Sequence, residues 1–532
     1  MLKRIFSQNK LLIGILFLGL FLRFLGITHG LPYIFHPDEP TIVRSALGVR
    51  FFPNPKHFDW PHLYIYLNYV LYMAFSLFRR ILEVVGLKTL GSSVLPIIWT
   101  EEAVFYLITR AFTALLGTLT TIPVYLSAKK LFSANYLLSK DMDKQDLSKS
   151  WLSRFFNQSV PLKIALFSAL AMAVFPFHVH HSHYSLSDVP MAFFVAWVLF
   201  FSAHILDSAS LKSFLVAGFF VGLSASTKYN GGLSALIVAV AFFLHYLTKK
   251  PVLSEILKNS YKPLLSAFMA LFGFLLGTPF ALFDYKTFSR TDGPKGAYWQ
   301  FTNVGSRSFF DNITQFLVSF WDKFPSAWSF PFVVLFILGL LLMIRSFFSK
   351  KSFLITRLQL KPLIFLYVPS LVFLFYISGF SKTRSHYYMM AYPLIAVIVG
   401  WACAQITDFL PKNKSLVLLF FIFIFPFLMS LESAITFART DTRILASNWY
   451  EEFSPPNYFV YYDGTGLDQT LPSFAEKIPK RVSDLKFPLV LVSFCEKVDI
   501  KNTPDYFIDD YFRRGDSVCI YKISSREEYK VK

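Results

Sequence analysis

The sequence LLIGILFLGLFLRFLGIT (residues 11–28) leads, after a single histidine, into GLPYIFHPDEP (residues 30–40). The first stretch is apolar over nearly the whole length needed to cross a hydrocarbon core, about 20 residues. The second carries two adjacent acids, Asp38 and Glu39, between prolines that restrict the backbone on both sides of the pair. A span that ends in a constrained carboxylate pair predicts a membrane protein with chemistry at the membrane surface.

The composition of the 532-residue chain indicates that it crosses the membrane many times. Hydrophobic residues make up 54% and charged residues only 16%, which excludes an ordinary soluble protein. Lys3 and Arg4 precede the first span, but no small-residue cleavage site follows it, so we expect the span to be retained. The predicted spans are residues 11–28, 104–127, 162–178, 189–206, 213–230, 232–248, 263–282, 328–345, 362–378, 389–407 and 416–433.

The net charge of +19 is better explained by basic loops between spans than by a nucleic-acid partner, which we exclude. With a cytoplasmic N-terminus, lysine and arginine gather in five short connections, as is typical of cytoplasmic loops. The sequence therefore predicts a multi-pass protein of the plasma (inner) membrane, with the Asp38 loop and residues 283–327 facing outward. The predicted cytoplasmic connections are residues 128–162, 207–212, 249–262, 346–361 and 408–415.

The predicted fold class is an all-α polytopic membrane protein of about 11 transmembrane helices with a small C-terminal extracytoplasmic α/β domain. The domain boundaries are expected at residues 1–433 and 434–532. Residues 40–100 are expected to form juxtamembrane helices, because His62–Phe78 has the tyrosines and trailing arginines of a helix lying at the interface.

The pattern of apolar and polar residues changes after about residue 436, where short predicted strands replace long apolar runs. Cys495 and Cys519 could pair if this domain faces an oxidising compartment, whereas Cys403 is expected inside a span. The predicted elements are an amphipathic helix over Asp441–Phe453 and strands at Tyr458–Tyr462, Leu489–Phe494 and Val518–Ile523.

Two interpretations of the acid pair compete. Asp38 could cap a short helix over residues 41–49, with Pro40 in the first turn, where proline fits best. Alternatively, Asp38 and Glu39 are catalytic groups or a cation site acting on a molecule at the membrane surface. We favour the second interpretation because other polar clusters are predicted on the same face.

The first of these clusters extends from His178 to Asp188 and contains four histidines. Imidazole and carboxylate are metal ligands, so His181, His183 and Asp188 could bind a divalent metal, although their spacing matches no closed site. The alternative is a polar interfacial loop in which Ser187 or Asp188 caps the next span. A carboxylate at the mouth of a span is costly unless it has a partner, so Asp188 is assigned to the site with the two acids.

Cations from separate segments form the second cluster on this face. Positive residues are scarce on the outer side, and although a lone cation could be a snorkelling anchor, several together favour recognition of a phosphate. The predicted phosphate-binding residues are Arg110, Lys228, Lys382, Arg384 and Tyr387, and the predicted substrate pocket comprises His36, His181, His183, Tyr229 and Trp299.

Outward acids and phosphate-seeking cations favour sugar transfer from a donor held in the bilayer by a polyprenyl phosphate. Such a reaction needs a base for the acceptor hydroxyl, here Asp38, and positive charge to stabilise the departing lipid phosphate. The alternatives are a polymerase or ligase of lipid-linked glycans, a lipid or polysaccharide transporter, and a non-catalytic scaffold. A transporter predicts mid-span ionisable residues and repeated halves, neither of which is seen here.

The order of these motifs resembles the integral-membrane type C glycosyltransferases, in particular bacterial relatives of the protein O-mannosyltransferases and of the lipid A aminoarabinose transferase. The resemblance is spread over most of the first 430 residues and continues into the tail. The matching pieces are Arg23-Phe24 through His36-Pro37-Asp38-Glu39-Pro40, His183-Tyr184 through Asp188, Lys228-Tyr229 after Ser226-Thr227, Tyr387–Pro393, and Asp441-Thr442-Arg443 with Trp449.

The resemblance implies a polyprenyl-phosphate-linked sugar donor, an inverting transfer and a catalytic aspartate in the first outer loop, here Asp38. It also implies that Asp188 shapes the pocket and that residues 283–327 order around substrate. In that loop Tyr298, Trp299 and Gln300 could contact a sugar or anchor the loop at the interface. Membrane lipids are expected partners, the acceptor could be a glycan, a lipid or a protein, and no cofactor is certain.

Overall fold

A computed structural model describes residues 10–85, 101–133, 159–247, 253–348, 357–497, 503–511 and 513–529. Most of these residues are helical up to residue 453, and a small sheet follows. The helices are Lys10–Phe24, Glu39–Gly48, Leu63–Val84, Glu101–Leu119, Thr121–Ser133, Val160–Ala173, Pro176–His181, Asp188–Ser208, Leu211–Thr227, Ala235–Leu247, Leu253–Asn259, Tyr261–Gly277, Phe280–Phe283, Tyr285–Phe288, Ala297–Asn303, Phe309–Ser319, Lys323–Trp328, Phe330–Phe348, Arg357–Ser378, Tyr392–Phe409, Lys412–Ala438, Thr442–Phe453 and Leu467–Thr470.

The long helices confirm the prediction of a polytopic membrane protein. Each of the eleven predicted spans overlaps an apolar helix, but the number that cross the bilayer stays a prediction, because some of these helices are short. Seven helical segments in the described part of the chain are long and apolar enough to cross, namely Glu102–Ser133, Asp188–Ser208, Tyr229–Leu247, Leu253–Gly277, Gln359–Ser378, Ser385–Phe409 and Lys412–Phe453. Shorter apolar helices occur at Val160–Ala173, Leu211–Thr227 and Phe330–Ser346.

Polar contacts join several of the connections that the sequence places on one side of the membrane. The Lys130 ammonium donates to the Asp207 carboxylate at 2.6 Å, and Lys163 pairs with Asp408. The Lys262 ammonium donates to the Ala209 carbonyl at 3.1 Å. These loops therefore share one face of the molecule, as the alternation of spans predicts.

The segment predicted to lie at the interface forms the helix Leu63–Val84. One face is buried through Tyr64, Ile65 and Tyr72, and packs near the helices Glu39–Gly48 and Glu101–Leu119. The opposite face leaves large apolar side chains exposed, as expected for contact with lipid. These are Val70, Met73, Leu77, Phe78, Ile81 and Val84. The remaining juxtamembrane prediction, over residues 86–100, lies outside the described residues.

The tail contains the predicted helix, at Thr442–Phe453, and a five-stranded sheet. The Asp441 carboxylate caps the helix by accepting the Arg443 backbone N–H at 3.0 Å. The strands are β1 (Phe459–Asp463), β2 (Glu476–Lys477), β3 (Leu489–Phe494), β4 (Tyr506–Ile508) and β5 (Val518–Ile523). Three of them were predicted, whereas the two short edge strands were not.

The strand order is β2-β1-β3-β5-β4, with β1 parallel to β2 and β3 and with β5 antiparallel to β3 and β4. Alternate residues of the fully buried β3 contribute to two apolar clusters, one of which includes the Thr442–Phe453 helix. Cys495 and Cys519 form a disulfide, and Cys403 is buried in a helix, as the sequence suggested.

Candidate active site

A cavity of about 920 Å³ lies where the first loop meets the ends of several long helices. Seven of the thirteen predicted site residues line it, and they come from four separate segments of the chain. The predicted residues in its wall are His36, Asp38, His181, Lys228, Tyr229, Arg384 and Tyr387. The six that do not line it are Glu39, Arg110, His183, Asp188, Trp299 and Lys382.

Asp38 occupies the cap position of the helix Glu39–Gly48 but does not cap it. Its backbone is already helical, and its carboxylate accepts no hydrogen bond from the first turn. This side chain is exposed to the cavity and forms no hydrogen bond or ion pair with any described residue. The geometry therefore removes the capping interpretation and leaves a free carboxylate.

His36 holds the backbone immediately before that carboxylate. The Asp38 backbone N–H donates to the His36 Nδ1 at 3.2 Å, and the centre of the His36 ring lies 4.5 Å from that of the Tyr184 ring, with the two rings tilted by 55°. Burial lowers the pKa of His36 below its usual value, which keeps the ring neutral near pH 7. A neutral ring has a free lone pair on one nitrogen, as the contact with Asp38 requires.

Glu39 and Arg110 form a buried ion pair, which differs from the predicted roles. The Arg110 Nε and Nη2 each donate to one Glu39 carboxylate oxygen at 2.8 Å, and the side chains are 1% and 0% exposed. Burial alone would raise the pKa of Glu39, but Arg110 and the Ser185 backbone N–H hold it below its usual value. Neither side chain faces the cavity, so Glu39 is not a second base and Arg110 is not a phosphate ligand. The pair ties the first loop to the Glu101–Leu119 helix.

Asp188 lies behind the cavity wall and binds Lys228. The Lys228 ammonium donates to the Asp188 carboxylate at 2.5 Å. The same ammonium lies 5.7 Å from the Trp60 ring and 5.3 Å from the Tyr387 ring, within range of cation–π attraction. Asp188 thus has the partner that its place at the mouth of a span requires, and it positions Lys228 rather than reaching the cavity itself.

Lys382 and Arg384 are separated by a single residue but have different surroundings. The Lys382 ammonium donates to the Asn303 side chain at 2.8 Å and lies outside the cavity. Arg384 lines the cavity, and its guanidinium has no hydrogen-bond or ion-pair partner among the described residues. The free cation of the predicted set is therefore Arg384, while Lys382 fastens a neighbouring loop.

The histidine-rich segment does not gather into a metal site. The two ring nitrogens of His183 lie 3.0 and 2.9 Å from the carbonyl oxygens of Val179 and Leu25, and its ring stacks on Phe437. His181 instead faces the cavity and contacts the Phe177 ring at 4.4 Å. In the part of the chain that the structure describes, no three histidine, cysteine or acidic side chains are grouped so that they could hold a metal ion. The predicted set of His181, His183 and Asp188 is therefore wrong as a ligand set.

The long loop 283–327 forms three short helices and one of eleven residues, Phe309–Ser319. Trp299 is half-buried away from the cavity, whereas its neighbours Gln300 and Phe301 line it. The loop is joined to the first juxtamembrane segment by a hydrogen bond of 2.8 Å from the Asn54 amide to the Asp284 carboxylate. Of the three residues in this loop that were predicted to contact a sugar or anchor the loop, Gln300 lines the cavity, whereas Tyr298 and Trp299 do not.

The cavity residues that the sequence analysis did not assign to the site include Asp59, Trp60 and His386. Asp59 accepts from the His57 ring at 2.5 Å, and the other nitrogen of that ring lies 2.8 Å from the Ser45 hydroxyl. The available signal was the run Asp59-Trp60-Pro61, in which an acid and an aromatic residue stand before a proline and an apolar helix. In this respect it is similar to the segment around Asp38, where acids also stand before a proline.

An apolar groove of about 940 Å³ continues from the cavity. The two share Phe301, Tyr376 and Phe380 as wall residues. Beyond them the groove passes between the helices Phe309–Ser319 and Arg357–Ser378, lined by Phe316, Leu371, Val372 and Phe375 among others. A polar cavity with free charges thus lies directly beside a mainly apolar groove.

The architecture is similar to that of ArnT from Cupriavidus metallidurans in the apo state, with a TM-score of 0.50 at 12% identity over 97% of this chain and 98% of that one. The chain has a type C glycosyltransferase-like fold. The predicted resemblance is confirmed at the level of this fold. The structure of ArnT bound to undecaprenyl phosphate gives a TM-score of 0.48 at 13% identity, with 97% and 98% of the two chains covered.

Within the type C glycosyltransferase-like fold, residues 152–277 match the family model described as dolichyl-phosphate-mannose-protein mannosyltransferase. Dolichyl-phosphate-mannose--protein mannosyltransferase 1 of Saccharomyces cerevisiae is 27% identical over 191 residues, or 34% of this chain. That match spans 19% of the yeast protein. The family-model match therefore lies in the middle helices, which include Asp188 and Lys228.

Proposed function

We propose that this protein is a membrane glycosyltransferase that moves a sugar from a polyprenyl-phosphate carrier to an acceptor hydroxyl. The observation that carries the proposal is a free carboxylate, Asp38, and a free guanidinium, Arg384, in the wall of one cavity. A base and an anion-binding cation are the two groups that such a transfer needs. The match of residues 152–277 to a family of dolichyl-phosphate-mannose-dependent transferases supports the choice of donor.

The proposed reaction is a single displacement with inversion. Asp38 takes the proton of the acceptor hydroxyl as the oxygen bonds to the anomeric carbon of the sugar. The bond from that carbon to the phosphate oxygen breaks, and its electron pair leaves with the polyprenyl phosphate. Arg384 and Lys228 stabilise the negative charge that develops on this leaving group. The proton ends on Asp38 and the sugar on the acceptor.

The apolar groove is the proposed place of the polyprenyl chain. It shares wall residues with the cavity, and most of its wall is apolar although Thr302, Ser306 and Asn312 also line it, so a lipid tail can lie in it while the phosphate reaches Arg384. We place this cavity at the outer face of the plasma membrane. The basic connections, which are typical of cytoplasmic loops, are joined to one another at the ends of the spans opposite the cavity. In this proposal residues 1–433 form the transmembrane catalytic domain and residues 434–532 an outward-facing domain.

Replacing Arg384 tests the leaving-group contact. For Arg384→Gln we expect kcat/KM for the lipid-linked donor to fall by about tenfold to a hundredfold, since a charge-assisted contact to the phosphate contributes about 1.5–3 kcal/mol. Lys382→Gln is the matched control, because it removes a cation two residues away that binds Asn303 instead. Transfer of radiolabelled sugar from polyprenyl-phosphate donors by the purified protein in lipid measures both. Equal losses in the two variants would remove the assignment of Arg384.

Filling the groove tests the site of the carrier tail. Leu371→Trp places a large ring in the groove wall and is expected to raise KM by about tenfold for a long polyprenyl donor. The KM of a donor with two isoprene units should change little, because its tail ends near the cavity. Leu338→Trp, on an exposed apolar surface outside the groove, is the control. The same KM change for long and short donors would place the tail elsewhere.

A further inference from the structure

Two arginines of the C-terminal segment contact the loop that carries Asp38. Arg443 lies at the start of the Thr442–Phe453 helix, and Arg514 lies in the loop before β5. Both are far from Asp38 in sequence, and neither lines the cavity. They nevertheless contact two residues that shortly precede Asp38 in the chain, His29 and Phe35.

Arg443 packs against the Phe35 ring. Its guanidinium carbon lies 3.6 Å from the centre of the Phe35 ring. The guanidinium cannot swing away easily, because Asp441 accepts from its Nε at 2.8 Å and from its Nη2 at 2.7 Å. Its Nη1 also donates to the Thr465 carbonyl at 3.2 Å. Phe35 therefore packs against a cation that is fixed within the C-terminal segment. Because Phe35 directly precedes His36 in the chain, this contact also constrains His36.

Arg514 holds the other end of the same loop. Its Nη1 lies 2.7 Å from the His29 Nδ1, and its guanidinium lies about 5 Å from the Tyr184 and Phe437 rings. The Tyr184 ring in turn packs on His36, whose Nδ1 accepts the Asp38 backbone N–H. Arg514 is thus two ring contacts away from the backbone of Asp38.

The two arginines form one unit within the tail. The Arg514 carbonyl accepts from the Thr442 backbone N–H at 2.9 Å and from the Thr442 hydroxyl at 3.1 Å. Gly515 follows with φ +83°, and a Cβ there would lie 2.2 Å from the same hydroxyl, so the turn requires glycine. These contacts tie the backbone of Arg514 to Thr442, the residue before Arg443.

From these contacts we propose that Arg443 and Arg514 position the Asp38 loop, so that the C-terminal segment completes the active site. This inference rests on the proposed function for its effect on rate, but not for its effect on the loop itself. Positioning acts through Phe35 and His29, and a displacement of about 1 Å of a reacting group costs about a hundredfold in rate.

Arg443→Gln and Arg514→Gln are the test variants, with Arg526→Gln, an exposed arginine of the same segment, as control. We expect each test variant to lower kcat by about tenfold to a hundredfold while KM for the polyprenyl-phosphate donor changes little, because neither arginine lines the donor cavity. Arg514→Lys should recover part of the rate, since an ammonium can still donate to His29.

Hydrogen exchange of the substrate-free protein gives a second measurement that does not depend on activity. Amides of residues 29–39 should exchange faster in both glutamine variants, whereas those of β3 should not change, which shows that the sheet is still folded. Phe35→Leu removes the ring under Arg443 without altering the tail and should give the same loss of kcat.

Unchanged exchange at residues 29–39 together with control-like kcat would overturn the positioning role. Faster exchange at β3 in a glutamine variant would mean that the sheet itself is disturbed, and Phe35→Leu then becomes the deciding variant. A wild-type kcat in Phe35→Leu would also overturn the positioning role. If the wild-type protein transfers no sugar but residues 29–39 still exchange faster in the variants, the loop contact stands and the proposed function fails.

Discussion

Asp38→Asn is expected to lower kcat for sugar transfer by about a hundredfold to ten-thousandfold, the range typical of a lost general base. The amide keeps the size and hydrogen-bonding shape of the carboxylate but cannot take the acceptor proton. Because the carboxylate makes no cap contact, the thermal-unfolding midpoint should stay close to that of the wild type. Transfer from radiolabelled polyprenyl-phosphate donors in lipid, with wild type in parallel, measures the rate.

Asp468→Asn is the matched control, since it changes an exposed carboxylate of the C-terminal segment. Wild-type turnover in Asp38→Asn would move the base to another residue of the cavity, and Asp59 is the second carboxylate among the described residues of its wall. A large drop in stability with normal turnover of the folded fraction would instead restore a structural role for Asp38.

Arg110→Met should cause the largest loss of stability, about 3–5 kcal/mol, because it leaves the Glu39 carboxylate buried without its cation. The comparison is Arg44→Met, which breaks an ion pair with Glu102 at the same 2.8 Å. Those side chains are 67% and 44% exposed, so the expected cost is about 0–1 kcal/mol. Thermal unfolding of the purified variants in detergent measures the difference.

Removing both partners separates the cost of an unpaired charge from the benefit of the pair. The double variant Glu39→Leu with Arg110→Met is expected to recover much of the stability lost by Arg110→Met, because no buried charge remains. A double variant as unstable as the single one would mean that the hydrogen bonds to the Ser185 N–H and the His29 carbonyl carry the stability.

The helices and the main strands were predictable because their signal is local. Apolar runs and period-2 segments depend on neighbouring residues, so the spans and β1, β3 and β5 are placed within a few residues. The edge strand Glu476–Lys477 is two exposed charged residues long and exists only because β1 pairs with it. Nothing in its own composition predicts it.

The site was predictable as a set of segments but not as a set of contacts. Glu39 and Arg110 are 71 positions apart, and only packing shows that they neutralise each other. Lys382 and Arg384 have the same charge and nearly the same position, yet one meets Asn303 and the other meets the cavity. The sequence shows that cations are present. Their partners depend on the local backbone conformation, which determines the direction of each side chain.

Because the polar cavity and the apolar groove adjoin at Phe301, Tyr376 and Phe380, the proposed function assigns the two substrates separate routes to the site. A carrier that enters along the groove arrives by lateral diffusion, so its supply is set by its surface density in the bilayer. A water-soluble acceptor is governed by its bulk concentration. Diluting the donor with inert lipid should therefore slow turnover at constant total donor, while enlarging the aqueous volume should act only through the acceptor.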